Sequence, residues 1–215
     1  MTQETGSLVH YHAPNTRSAA IAWLFEELGS PPHETKVLNM SKGEHKTQAY
    51  LAINPMGKVP AIVHHGTPIT EAAAIAIYLA DLFPAAGLAP AIGDPARGTY
   101  LRWIVFNQAA VEPAITDHAL KREPGSPGLL AYGSYEATVE ALAGALAKGP
   151  YILGENFSAA DIVVGSGVRW MLGFKLLPAR PEFTKYAERP GQRPALQRAI
   201  KSDAALAASL AAAAT

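Results

Sequence analysis

At Pro84 the pattern of the chain changes, and that break governs what the rest can fold into. Before it, short β-prone runs alternate with stretches of helical period; after it, helical stretches follow one another between prolines and glycines. Leu8 to Tyr11 reads as a strand and Asn15 to Ser18 as a polar turn. Ala20, Ile21, Leu24, Phe25 and Leu28 then form the apolar stripe of a helix ending at Gly29. Thr35 to Leu38 predicts a second strand, His45 to Ile53 a short irregular or helical stretch, and Ala61 to His64 a third strand. The turn His65-Gly66-Thr67 leads into a fourth strand near Ile69, giving a hairpin. Ile75, Tyr78, Leu79 and Leu82 mark a helix stopped by Pro84. The order is βαβ followed by ββα.

Residues 85–94, rich in Ala, Gly and Pro, read as a linker between a first domain over 1–84 and an all-helical domain over 95–215. Asp94-Pro95 caps a helix carrying Tyr100, Trp103, Ile104 and Phe106, which Pro113 is expected to kink. Further helices are predicted from Leu129 to Lys148 and from Ser158 to Leu172, where Ser158 and Asp161 have the spacing of a capping box. Beyond Gly173, prolines at 178, 181, 190 and 194 are expected to cut the chain into short segments. Gly165-Ser166-Gly167 lacks the strand and the further glycine of a dinucleotide loop and reads as close helix packing.

Composition removes several classes of chemistry. With no cysteine among 215 residues, disulfides, thiolate zinc sites, Fe–S clusters and protein thiol nucleophiles are excluded, so any thiol must come from a substrate. Eighteen basic residues balance eighteen acidic ones, which leaves no long-range field to gather nucleic acid or an anionic membrane. The apolar run Ala72 to Ala80 and the alanine-rich tail after Asp203 are both too short to span a bilayer, and the first residues lack the basic and apolar regions of a secretory signal. A cytoplasmic protein without nucleic-acid or membrane partners is the expectation. His10, His12, His64 and His65 sit on or beside strands without metal-ligand spacing, and no metal is expected.

Two segments carry chemistry. In Asn54-Pro55-Met56-Gly57-Lys58-Val59-Pro60 a proline opens a strand; a cis bond before it would turn the Val59 N–H and C=O toward an extended ligand. At Ile69-Thr70-Glu71-Ala72 a strand runs into a helix, so Glu71 stands beside free N–H groups. That place suits a zwitterion, its carboxylate on the N–H groups and its ammonium on Glu71. The loop Asn15-Thr16-Arg17-Ser18 opens another helix near the same sheet edge.

These segments together resemble the glutathione transferase family, in particular bacterial members with a serine/threonine-type loop. Tyr11 to Ser18 with Trp23 to Gly29 looks like the first strand, catalytic loop and helix; Asn54 to Pro60 like the cis-proline segment; Thr70 to Ile75 like the γ-glutamyl segment; Phe157 to Ile162 like the capped helix of the second domain. The resemblance implies a thioredoxin-like N-terminal domain (βαβ-ββα) with an all-helical C-terminal domain, and a homodimer that conjugates the co-substrate glutathione to a small hydrophobic electrophile. It also implies that Val59 and Pro60 hold the cysteinyl backbone, Lys58 and His45 the glycine carboxylate, and Glu71 with the Ala72 N–H the γ-glutamyl end. Ala72 stands where many members carry a hydroxyl. A free thiol near pKa 8.5 needs a donor to become a thiolate at neutral pH. Thr16 is ranked first for that role, with Ser18, Asn15 and Tyr11 as alternatives, and Tyr11, Trp103 and Phe106 would wall the second-substrate pocket. The competing reading is a non-catalytic binding module of the same fold.

Overall fold

The computed structural model describes residues 8–123 and 125–213, which divide into two compact units, one of residues 8–86 with 193–213 and one within 87–192. In the first unit, β1 (Leu8–His12), β2 (Glu34–Val37), β3 (Ala61–His64) and β4 (Thr67–Thr70) form one sheet in the order β2-β1-β3-β4. β1 runs parallel to β2 and antiparallel to β3, which pairs antiparallel with β4. The alternation in β1 buries Leu8, His10 and His12 on one face. His65 and Gly66 both take positive φ, 49° and 79°, as a tight turn matched to strand twist requires. The Val59–Pro60 peptide is cis. Helices α1 (Ser18–Glu27), α2 (Gln48–Leu51) and α3 (Ala72–Leu82) complete the thioredoxin-like arrangement, with Ile21, Trp23, Leu24 and Ile75 buried between the layers.

The second unit holds α4 (Ala96–Phe106), α5 (Glu112–Ala119), α6 (Tyr135–Leu146), α7 (Ala159–Gly173) and α8 (Pro181–Glu188). Trp103, Ile115, Leu142, Val164 and Phe183 lie in its core. A wide π turn over Asn107–Val111 carries α4 into α5, and Pro113 sits in the first turn of α5. The helix expected from Leu129 starts only at Tyr135, because Gly133 at φ 69° and the Ser134 cap end the preceding loop. The capping box at Ser158 and Asp161 forms. A Cβ at Gly167 would come within 3.0 Å of Asn107 Oδ1, which explains a glycine there.

The C-terminal segment departs from expectation. Residues 194–212 are not cut short but form a 19-residue helix, α9 (Pro194–Ala212), because Pro194 stands at its start rather than in its interior. This helix belongs to the first unit and packs on α1, so the helical unit ends at residue 192 and not at 215. Arg193 makes a bidentate pair with Glu27 at 2.6 and 2.7 Å, and Arg198 Nε meets Glu26 at 2.6 Å. Among the described residues no helix is long and apolar enough to cross a membrane.

Candidate functional site

Strand register gathers the motifs along one sheet edge. Tyr11 pairs with Lys36 on one side and Ala61 on the other, and Ala61 pairs with Thr70. The chain leaves β1 into the 13–17 loop, leaves β2 toward Leu38, enters β3 from Pro60 and leaves β4 at Glu71, all past that row. Neighbouring strands lie about 4.8 Å apart, so β1 and β4 are about 10 Å apart, close to the reach of an extended tripeptide.

At the end of β1 the side chains form a closed network. Ser18 Oγ accepts from the Ala13 N–H at 3.0 Å and lies 2.9 Å from Ala13 O, 2.8 Å from His12 Nδ1 and 2.8 Å from Thr16 Oγ1. The Thr16 hydroxyl also reaches Ala13 O at 2.7 Å and accepts from the Ser18 N–H at 3.2 Å. Ser18 is 0 % exposed, whereas Thr16 is half-buried. Ser18 is the first residue of α1, with its hydroxyl turned inward onto Ala13, His12 and Thr16. Asn15 is exposed, in left-handed backbone at φ 60°, and its N–H donates to Asp203 Oδ2 at 3.0 Å.

The 54–60 loop is stapled from inside. Lys58 O accepts from the Tyr50 hydroxyl at 2.5 Å and from Asn54 Nδ2 at 2.8 Å, while Asn54 Oδ1 takes the Met56 N–H at 3.1 Å. Burial, with Tyr11 adding to it against Asn54, pushes the Tyr50 hydroxyl up to about 12, so it stays a donor. Gly57 is required: its φ is 60°, and a Cβ would meet His45 O at 2.7 Å. Lys58 is exposed, Val59 half-buried and Pro60 buried. His45 Nδ1 is buried without a hydrogen-bond partner.

Glu71 is exposed at the N-cap of α3 with φ 66° and ψ 118°, a conformation that disfavours any residue but glycine. Its side chain makes no capping bond. Ala72 is buried at the first helical position and offers only its N–H.

A cleft of about 300 Å³ opens beside this edge, lined by Pro14, Asn15, Leu38 and Met40 and closed by Ala207 and Leu210 of α9. The expected wall is placed differently. Trp103 lies in the core of the helical unit, edge-on to Phe106 at 5.3 Å, and is committed to packing there. Tyr11 points to the sheet face opposite His12, its ring 5.4 Å from that of Tyr50, and so does not turn into the loop. The remaining strand histidines have separate partners: His64 Nδ1 lies 2.6 Å from the Tyr78 hydroxyl, and His10 packs against Phe25 at 5.3 Å. Sequence reasoning missed His12, Asp203 and the apolar face of α9; only the helical spacing of Ala207, Leu210 and Ala211 signalled the last.

The sheet order and the helices on it define a thioredoxin-like fold, and comparison with known proteins makes this specific. Residues 6–81 match the family model of the glutathione S-transferase N-terminal domain. The chain is 30% identical over 172 residues to glutathione S-transferase 3 of Schizosaccharomyces pombe, covering 72% of this chain and 70% of that protein. It is 28% identical over 206 residues to the disulfide-bond oxidoreductase YfcG of Escherichia coli, covering 88% and 93%. A sphingomonad glutathione S-transferase solved in complex with glutathione superposes with a TM-score of 0.74 at 30% identity, covering 91% of this chain and 98% of that one. The chain belongs to the glutathione S-transferase family.

Proposed function

We propose that the chain binds glutathione along the sheet edge and transfers its thiolate to a small apolar electrophile. The carrying observation is the half-buried Thr16 hydroxyl at the start of α1, at the end of the sheet row that also presents Val59 and Glu71 and beside a cleft apolar on its α9 side. In this reading the γ-glutamyl ammonium meets Glu71 and its carboxylate meets the first N–H groups of α3. Val59 pairs with the cysteinyl backbone, and His45 and Lys58 take the glycine carboxylate. The Thr16 O–H and the positive end of α1 stabilise the thiolate, and the protein otherwise acts by placing sulfur against the electrophilic carbon. Assaying glutathione with a panel of electrophiles tests this; binding of glutathione without turnover of any would favour the binding module. The likeness to YfcG favours a second chemistry at the same site, attack of the thiolate on a disulfide with release of the other sulfur as thiolate. Because the protein has no cysteine, every sulfur would then come from substrates, and a disulfide in the panel separates the two readings.

Two substitutions probe the γ-glutamyl end. Glu71→Ala should weaken glutathione binding about tenfold or more, since a charge-assisted bond to an ammonium contributes about 1.5–3 kcal/mol. Calorimetry yielding equal affinities would remove Glu71 from the site. Ala72→Ser should act in the opposite direction, strengthening binding several-fold by adding a hydroxyl, worth about 0.5–1.5 kcal/mol, where only the N–H now stands. The same titration decides, and weaker binding would mean that the carboxylate does not reach the α3 start.

A further inference from the structure

The C-terminal helix reaches the loop after β1 through one residue. Asp203 of α9 accepts the Asn15 N–H with Oδ2 at 3.0 Å and places Oδ1 2.9 Å from His12 Nε2. His12 is 2% exposed and Asp203 14%, so the pair is shielded from water. On the other side of the ring, Nδ1 lies 2.8 Å from Ser18 Oγ, which lies 2.8 Å from Thr16 Oγ1. We propose that Asp203 and His12 are positioning residues of thiol activation, receiving through Ser18 and Thr16 the proton that the bound glutathione thiol gives up. The proposal rests on the reading that places sulfur at Thr16.

The protons balance along the chain of contacts. The thiol proton passes to Thr16 Oγ1, the Thr16 proton to Ser18 Oγ, and the Ser18 proton to His12 Nδ1. One S–H bond breaks and one N–H bond forms. Afterwards the imidazolium donates to Ser18 Oγ from Nδ1 and faces Asp203 with Nε2, while the Ser18 O–H turns to Ala13 O at 2.9 Å. That frees the Thr16 O–H from Ala13 O to donate to the thiolate, and no buried donor is left without an acceptor. The groups facing His12 are Asp203 from α9, Ser18 from α1 and His10 from its own strand, with ring centroids 5.4 Å apart. Burial, with His12 and His33 adding to it, holds His10 well below the ordinary histidine range, so it brings no competing charge. Burial works to raise the Asp203 carboxyl, but the contacts with His12 and the Asn15 N–H outweigh it and hold it below its usual value, which keeps it anionic.

The test titrates the thiolate absorbance of bound glutathione against pH in the wild type, Asp203→Asn, His12→Gln and Thr16→Val, with S-methylglutathione affinity as the control for an intact site. Asp203→Asn retains the contact to Asn15 and the side-chain shape, so it remains readable if His12→Gln fails to fold. The expected result is a bound thiol pKa raised by about one unit or more in Asp203→Asn, about tenfold less thiolate at neutral pH, with S-methylglutathione affinity within about twofold of wild type. Calorimetry in buffers of different ionisation heat should show little proton release when wild type binds glutathione. An unshifted pKa in Asp203→Asn alongside a shift in Thr16→Val overturns the relay and leaves the glutathione reading standing. A wild-type thiol pKa that is not depressed overturns both.

Discussion

Thr16→Val should lower turnover at neutral pH by about 10- to 1000-fold, the range for losing one hydrogen-bond donor to an anion at a reacting centre, and should raise the pKa of the bound thiol. Valine keeps the branched shape and removes only the hydroxyl. That hydroxyl also bonds Ala13 O and Ser18, so a loss of about 0.5–1.5 kcal/mol in stability accompanies the change and is read separately from the melting temperature. The pH profile separates the two effects: losing a donor to sulfur shifts the ascending limb of kcat/KM for the electrophile, at saturating glutathione, to higher pH, so activity recovers as pH rises, whereas a loosened loop lowers the whole curve. Ser18→Ala is the informative companion. Its hydroxyl is fully buried and touches Thr16, Ala13 and His12, so its effect on sulfur passes through Thr16. Adding Ser18→Ala to Thr16→Val should therefore cost much less than the sum of the two singles. Additive effects, or an unchanged thiol pKa in Thr16→Val, would leave Asn15 and the backbone N–H groups at the start of α1 as the stabilisers of sulfur.

What could be read in the chain divides by range. The β3–β4 hairpin was visible because its turn chemistry is local: Gly66 and the residue before it must take positive φ, and the alternation on either side sets the pairing. The capping box was visible because Ser158 and Asp161 are three residues apart. The position of α9 was not. Pro194 is a breaker inside a helix and a favoured opener at its start, and the sequence alone does not say which applies. The alanine-rich run after it has no strong apolar stripe to indicate its partner, which lies on α1 some 170 residues earlier in the chain. Asp203 was invisible for the same reason, since its contacts to His12 and Asn15 exist only once α9 is docked. Thr16 and Ser18 were separable only in rank: one hydroxyl at the start of a helix looks like another until the helix is packed, and here the phase of α1 turns Ser18 inward and leaves Thr16 half-buried. Trp103 was open between two faces, because an aromatic on an amphipathic helix can line a core or a cleft with the same spacing, and the fold places it in the core.

Asp161→Ala should cost about 3–5 kcal/mol, a large share of the 5–15 kcal/mol that holds a typical domain together. The carboxylate is 0% exposed and takes four donors. Oδ1 receives the Ile152 N–H at 2.7 Å and the Tyr186 hydroxyl at 2.9 Å, and Oδ2 receives the Ser158 N–H at 2.9 Å and its hydroxyl at 3.2 Å. Alanine leaves all four without an acceptor, each worth about 1–3 kcal/mol when buried, and the total falls below the sum because the two hydroxyls can rotate to other acceptors while the two N–H groups cannot. The same geometry makes asparagine a poor substitute. Each carboxylate oxygen faces a backbone N–H, so whichever way the amide is turned its NH2 meets a donor. Asp161→Asn should therefore lose more than half of what Asp161→Ala loses. The pH dependence has a defined sign. Burial raises the Asp161 carboxyl above its ordinary value against the lowering effect of its hydrogen bonds, so stability declines with pH between the unfolded and the folded pKa of this group and is level above the folded one. Denaturant unfolding at acid and neutral pH reads both effects: the loss in midpoint for each variant, and a stability curve that loses this falling component once the carboxyl is gone. A loss below about 1 kcal/mol in Asp161→Ala would show that water reaches these donors and that the box caps α7 without holding the α6–α7 connection and α8 to it.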